Sequence, residues 1–458
     1  MQQTEVVHVP YGRGTVEIRV PKKNLMGVYT PPGAPAASDP EVEVAHAIAN
    51  PIGCSPLAEH LKPGMSVCIV VSDITRPVPY RYILPPLLAY LNRSGIPDKD
   101  ITLLVATGLH RPNTDEEQRL LYGADIVKRV RVINHCFNNY DNLVSLGVTS
   151  FGTPIEVNRL AVDSDILITT GYIEPHQQLG FTGGRKSILP GIASERAVMH
   201  NHSAAMMDHV HAVNGLLDGN PQHEDSLEFA QKVGVDYIIN VILNQDGKLY
   251  RAVAGDLKEA YLAGVAYSRA IREVVLPELC DVAITASGYP LDQVVYQGPK
   301  ISSSIFRIPR PIIREGGTVI IPMEATEGIG FHREFYDLMS CCGNNPEALI
   351  AKMYAEPSKD QWGAQIWVRM LQHLRMVIVT RNMTTDQVEA MGMAHFTILQ
   401  AAVDDALARY GENCRIAVFP EAPSVLLRVA DEAEKETGKE AAAKSGKEPT
   451  AKSGGHPL

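Results

Sequence analysis

Apolar and polar positions alternate over the opening residues, with "TEVVHVP", a break at Gly12-Arg13-Gly14, then "TVEIRVP". That period of two predicts a β-hairpin. The Pro/Gly/Ala-rich stretch Pro31 to Pro40 is a loop into a helix over about Glu41 to Ala49. From there the pattern changes. Short, solidly apolar runs ("SVCIVVSD", "DITLLVAT", "SDILITTG") alternate with helix-like segments such as "ILPPLLAYLNRSG" and "DEEQRLLYGADIVKRV". Strands that are apolar on both faces and separated by helices predict a parallel α/β sheet. In "DYIINVILNQDGKLYRAVAGD", Asp246-Gly247 marks a second hairpin. An amphipathic helix is expected over Leu257 to Val274, and the rhythm then restarts with "CDVAITASGYP", "GGTVIIPME", "RMVIVTRN" and "RIAVFPEA". The expected fold is α/β with two domains, each a largely parallel sheet flanked by helices, and the active site in the cleft between them. The domains are expected over residues 1–275 and 276–430, followed by a polar, charged and flexible tail over 431–458.

Length and composition agree with that division. A chain of 458 residues exceeds one ordinary core, and 45% hydrophobic with 21% charged residues is a globular balance. The net charge of −10, with no offsetting basic stripe, argues against a nucleic-acid partner. Seven cysteines, an odd count without a CxxC pair, indicate a reducing compartment rather than a disulfide framework, and Cys341-Cys342 reads as two ordinary thiols. The N-terminus has no apolar signal core and no window approaches a membrane span, so a cytoplasmic protein without a membrane partner is expected.

In parallel sheets the ligand crevice lies beyond the carboxyl ends of the strands. Asp73 with Arg76, His110, His176, and Ser287 with Tyr289 each follow a predicted strand directly, which argues for one shared site. The densest segment is "GYIEPHQQLGFTGGRKSILPGIASERAVMHNH", Gly171 to His202. Its "GFTGGRKS" would be a P-loop only if glycine stood at Arg185, so an ATP cradle is not supported. The pair Gly183-Gly184 still lets backbone N–H groups approach an anion, with Arg185 adding charge. Lys186, next to that charge, is expected to be a nucleophilic amine. His110 and His176 are candidate acid/base groups for two sides of one substrate. His200 and His202 lie on a helix started by Ser194-Glu195 and face different ways, so only one enters the site; His209 and His211 read as surface residues. Gln297 and Lys300, three apart, share a helix face suited to a carboxylate, and Trp362 stacks on a planar ring or fills core. The absence of HExxH, of a GxGxxG after the first strand and of a nucleophile elbow disfavours zinc peptidases, dinucleotide dehydrogenases and α/β-hydrolases.

Over about the first 420 residues, the ordered set "DITRPVP", "ATGLHRP", "EPHQQLGFTGGRKSILPGIA", "HNH", "DGNP", "SGYPLDQVVYQGPK" and "DQWGAQ" resembles the lactate racemase family of nickel-pincer-nucleotide enzymes. The resemblance implies a pyridinium-3,5-bisthiocarboxylate mononucleotide carrying nickel, covalently attached through Lys186. Two sulfurs and a ring carbon of that cofactor bind the metal, and His202 is the implied protein ligand. The implied catalytic pair is His110 and His176. Arg76, Gln297 and Lys300 match the family's substrate-holding residues. Asp73 matches a site aspartate, and Trp362 a tryptophan beside the cofactor ring, with Gly183 and Gly184 in the cofactor turn. The implied reaction inverts C2 of a 2-hydroxy acid by reversible hydride transfer, with cofactor-biosynthesis proteins as further partners. Gln177 and Gln178 depart from the apolar character expected beside a lactate methyl group. Gln178 is therefore expected to bind a longer or more polar 2-hydroxy acid, with lactate itself as the alternative. A non-catalytic carrier of the nickel nucleotide would not need His110, His176, Gln297 or Lys300. The sequence leaves open whether the protein is a monomer or a homo-oligomer.

Overall fold

The computed structural model describes residues 3–342, 345–358 and 361–431. The tail expected over 431–458 therefore lies, from residue 432 on, outside the described residues. The described chain divides into two compact α/β units. The first holds residues 33–212 and 216–271; the second holds residues 272–431 together with 3–32 and 213–215.

The first unit is built on a six-stranded sheet. Its order is Leu249–Gly255, Tyr237–Leu243, Ile166–Tyr172, Val67–Ser72, Ile101–Ala106 and Arg131–Asn134. All neighbours are parallel except the first two, which form the antiparallel hairpin foreseen at Asp246-Gly247. Every residue of Ile166–Tyr172 and Tyr237–Leu243 is buried, as two-sided coverage requires. One face packs Ile69, Val71, Leu103, Val105, Ile168 and Val241 against Val44 and Ile48 of the helix Pro40–Ala49. Ile83, Leu87 and Leu91 of the helix Tyr80–Arg93 join that core. The chain runs outward from Val67–Ser72 through two strands, then returns to place Ile166–Tyr172 on its other side. That reversal of strand order leaves a crevice at the carboxyl ends of Val67–Ser72 and Ile166–Tyr172.

The second unit repeats the device with an all-parallel sheet. Its order is Ala394–Phe396, Arg375–Val379, Ile313–Pro322, Cys280–Thr285, Ile416–Phe419 and Leu25–Val28. Strand order reverses here between Cys280–Thr285 and Ile416–Phe419. Residues 3–32 fall with this unit rather than with the first, contrary to a contiguous domain over 1–275. The cause is pairing and burial. Leu25–Val28 closes the sheet edge, and the hairpin Thr4–Tyr11/Gly14–Pro21 buries Val7, Val9, Ile18 and Val20 in the core with Ile284, Ile320, Val377 and Val418. The helix expected over Leu257 to Val274 spans Glu259–Ala270. Glu273–Leu276 is a strand paired with Leu426–Val429, where β-branched Val274 and Val275 fit better. Among the described residues no helix is long and apolar enough to cross a membrane.

Candidate active site

Asp73 and His110 follow neighbouring strands, and the fold joins them: His110 Nδ1 lies 2.7 Å from Asp73 Oδ2. Asp73 is 2% exposed, and its other oxygen accepts from Thr75 N at 3.2 Å and Thr75 Oγ1 at 2.6 Å. Burial pushes this carboxyl upward, but the hydrogen bonds from His110 and Thr75, with the charges of His110 and Arg76, outweigh it and hold its pKa below the ordinary value. An ionised Asp73 accepts a hydrogen bond from the Nδ1–H of His110, so the His110 Nε2 lone pair is available to a base reaction. Arg76 is exposed three residues beyond Asp73, with its backbone N–H bonded to Asp73 O.

His176 has the opposite arrangement. It sits in the short strand Pro175–His176, paired with Gly180–Phe181 just beyond Ile166–Tyr172. The intervening turn aims two backbone N–H groups, from Gln178 at 3.3 Å and Leu179 at 3.2 Å, at His176 Nδ1. An Nδ1 that accepts two donors carries no proton, so the neutral ring is protonated at Nε2. Gln178 is 2% exposed, and its backbone O accepts from Asn220 Nδ2 at 2.7 Å, whereas Gln177 is half-buried. The backbone of Gln178 thus serves as a brace for His176.

Lys186 lies half-buried in the helical turn Gly184–Ser187. Gly183 takes φ 80°, and a Cβ there would stand 2.5 Å from Asn240 Oδ1 and 2.9 Å from Tyr172 O, so only glycine fits. The turn is tied to the sheet by Ser187 Oγ donating to Thr170 O, by Gly184 N donating to Asn240 Oδ1, and by Gly108 N donating to Gly191 O. Arg185 departs from expectation. It is fully buried, donating to the carbonyls of Gly183 and Leu179 and to the Tyr261 hydroxyl. Its charge is directed into the fold, and its guanidinium lies over the Tyr261 ring.

His202 caps the C-terminal end of the helix Glu195–Asn201, which Ser194 caps at its start. Its pKa is pushed down to about 3, chiefly by burial and further by the charge of Lys186, so its imidazole is neutral with a lone pair at neutral pH. Its neighbour His200 instead bonds Thr153 Oγ1 at 2.8 Å, and Thr153 donates to the fully buried Asp225. Among the described residues no group of three or more His, Cys, Asp or Glu side chains is placed to hold a metal ion.

In the second unit, Gln297 precedes the helix Gly298–Ser302, in which Lys300 is exposed. Both lie downstream of the strand Cys280–Thr285, at the reversal of strand order. The two tryptophans of the helix Gln361–Leu371 separate clearly. Trp367 is fully buried and donates from Nε1 to Ser302 Oγ at 2.9 Å, while Trp362 is half-buried and is the one with ring surface to offer. Sequence reasoning missed Asp292, which is fully buried under this loop. It accepts from Gly12 N at 2.5 Å and from Gln293 Nε2 at 2.6 Å, and its O accepts from Ala325 N at 2.7 Å.

Two histidines and a lysine-bearing glycine turn gather at one strand-order reversal, and known relatives give the class of protein. Family models described as the lactate racemase N-terminal domain and the lactate racemase C-terminal domain match residues 11–215 and 275–427. The lactate racemase of Lactiplantibacillus plantarum is 34% identical over 430 residues, covering 92% of this chain and 99% of the relative. That of Thermoanaerobacterium thermosaccharolyticum is 32% identical over 432 residues, with the same coverage. The solved apoprotein of lactate racemase from the latter organism superposes with a TM-score of 0.84 at 31% identity, covering 93% of this chain and all of that one. A solved protein from Thermotoga maritima shares the fold at a TM-score of 0.64 and 19% identity. The chain is a racemase, an isomerase by reaction class. It belongs to the lactate racemase family.

Proposed function

We propose that the protein inverts C2 of a 2-hydroxy acid, with a nickel-pincer nucleotide held covalently by Lys186 and His202 as the protein's nickel ligand. The observation that carries this reading is the placement of Asp73–His110, His176 and the Lys186 turn around one reversal of strand order. The residues suit such a group. A half-buried lysine stands in a glycine turn, and a neutral imidazole under its electrostatic influence offers the borderline-soft nitrogen that nickel accepts. When bound, the nickel nucleotide supplies a reversible acceptor for the C2 hydrogen.

The remaining chemistry falls to the chain. His110, held in its Nδ1–H form by Asp73, takes the hydroxyl proton at Nε2. His176 presents its Nε2–H to the oxygen from the other side. Exchange of the two roles for the opposite enantiomer requires His176 to move its proton to Nδ1 and so release both amide contacts. Arg76, Gln297 and Lys300 hold the carboxylate while C2 is planar, which keeps the oxo acid from escaping. Trp362, half-buried, would offer its ring surface to the cofactor ring.

The substrate we propose is longer or more polar than lactate, on the strength of half-buried Gln177 and of Gln178 next to His176. Lactate itself is the second reading, favoured by the names of the two relatives. The test is protein co-produced with the cofactor-building enzymes, analysed by intact mass and nickel content and assayed on D- and L-lactate and longer 2-hydroxy acids. A mass increase and near-stoichiometric nickel, both absent in Lys186→Ala, are expected, with faster inversion of the longer acids. No adduct on a demonstrably working pathway would sink the cofactor reading; preferred turnover of lactate would sink the longer substrate.

A further inference from the structure

Asp73 and His110 stand on separate loops, and the contact between them depends on how those loops are registered. Asp73 lies between Ser72, the last residue of its strand, and Ile74. The backbone on both sides is held by one buried pair of side chains. Ile74 N donates to Asn113 Oδ1 at 3.1 Å; Asn113 Nδ2 donates to the Tyr122 hydroxyl at 3.2 Å; that hydroxyl donates to Ser72 O at 2.8 Å. Asn113 is 4% exposed and Tyr122 fully buried. Asn113 also lies three residues beyond His110, on the same loop. Its own backbone is pinned to the next strand end, where Asn113 N donates to Asn134 Oδ1 at 3.1 Å and Asn134 Nδ2 returns to Asn113 O at 2.9 Å. Every polar atom of the Asn113 side chain and backbone thus joins the Asp73 loop, the His110 loop and the Arg131–Asn134 strand.

We infer that Asn113, acting with Tyr122, is the positioning residue that sets Asp73 against His110 and thereby fixes His110 as the Nδ1–H tautomer with Nε2 free. Neither side chain touches the reacting atoms. The function of the bracket is geometric, since a neutral histidine left to water favours Nε2–H, the form unable to act as a base at Nε2. A neutral bracket also leaves Asp73 as the carboxylate facing His110, where a charged one would compete for the imidazole proton. The catalytic consequence rests on the function proposed above; the tautomer does not.

The experiment compares Asn113→Ala, Tyr122→Phe and Thr114→Ala, the last removing the N-cap of the helix Asp115–Tyr122 without touching the bracket. Imidazole nitrogen shifts from the protein without cofactor report the His110 tautomer, and steady-state kinetics of the loaded enzyme report kcat and KM. We expect Asn113→Ala to move His110 toward Nε2–H and to lower kcat about 10- to 100-fold with little change in KM. Tyr122→Phe, which keeps the Asn113–Ile74 bond, should shift both measures in the same direction by less. Thr114→Ala should lower thermal stability and leave the tautomer unchanged. Retention of Nδ1–H in folded Asn113→Ala or, should that variant not fold, an unmoved tautomer in Tyr122→Phe overturns the inference. Equal tautomer loss in Thr114→Ala overturns it as well, by reducing the effect to stability. A tautomer shift in Asn113→Ala, with wild-type protein that inverts no 2-hydroxy acid, would uphold the bracket and fail the functional reading.

Discussion

In the first α/β unit the loop that carries Asp73 is braced by uncharged groups. Tyr80 OH accepts from Ser72 N and bonds Thr170 Oγ1, Tyr122 OH donates to Ser72 O, and Asn113 takes Ile74 N. In the second unit the corresponding loop, after Cys280–Thr285, is braced by a charge. Asp292 gathers the Gly12 and Glu324 backbone N–H groups and the Gln293 amide, and below it Ala325 is held at φ 49°, a left-handed conformation uncommon for alanine. The difference teaches what each loop is for. Where neutral groups hold the backbone, Asp73 is left to polarise a histidine. Where the carboxylate itself holds the backbone, the loop goes on to Gln297 and the exposed Lys300, the groups we propose for a substrate carboxylate rather than for a proton transfer.

The largest expected effect tests that division directly. Asp73→Asn keeps an acceptor for Thr75 but removes the charge that draws the His110 proton to Nδ1. We expect kcat to fall about 10²- to 10⁴-fold, the range that general acid–base groups contribute, with the fold and the substrate KM little altered. A loss confined to KM would place Asp73 with the binding residues and break the comparison.

Asp292→Ala should act the other way. It leaves the buried Gly12 N–H without its acceptor, while the Ala325 N–H keeps its bond to the backbone carbonyl of residue 292, at a cost of about 3 kcal/mol in stability. The kinetic signature expected is a raised KM at nearly constant kcat, because the loop carrying Gln297 and Lys300 loosens while the acid/base pair stays intact. Denaturant midpoints and KM measured together check this; an unchanged KM would remove that loop from substrate binding.

What the chain discloses in advance follows the same line. The central strands were legible because burial on both faces leaves solid apolar runs such as "CIVV" and "LLV". The allegiance of residues 3–32 was not, since Leu25–Val28 finds its partner at Ile416–Phe419, a pairing with no local signal. Asp73, His110 and His176 were legible as polar residues at strand ends. Their opposite tautomers were not, because these arise from one carboxylate and two backbone amides that only the fold brings near. Arg185 reads as added charge for an anion at the glycine turn, yet its inward path to Leu179 O and Tyr261 depends on the helix Glu259–Ala270 behind it. Nothing local marks the contact of Asn113 with Ile74, which only the pairing of the neighbouring strands brings together.

The smallest expected effect separates the units by pH. Two histidines outside the proposed metal centre are buried in the first unit. His135 donates from Nε2 to Ala193 O and takes Asn158 Nδ2 at Nδ1, and burial pushes its pKa down to about 4. His223 is pushed down to about 3 by burial, with the charges of Arg185 and Lys258 adding to it. Each folded pKa lies below the unfolded one, so the unfolded state binds protons first as pH falls. The stability these groups provide is complete above about pH 6.5 and declines as pH drops toward 4 and then 3. The slope is about 1.4 kcal/mol per pH unit for each histidine in that window. Amide hydrogen exchange at pH 7 and 5, corrected for intrinsic rates, should show protection falling in the Ile166–Tyr172 and Tyr237–Leu243 strands before it falls in Cys280–Thr285 and Ile313–Pro322. His135→Gln, whose amide offers both a donor and an acceptor, should flatten the decline by one proton's share. Equal losses in both sheets would mean that the buried histidines do not set the acid limit of the first unit, and the contrast between a neutral and a charged framework would then not extend beyond the loops.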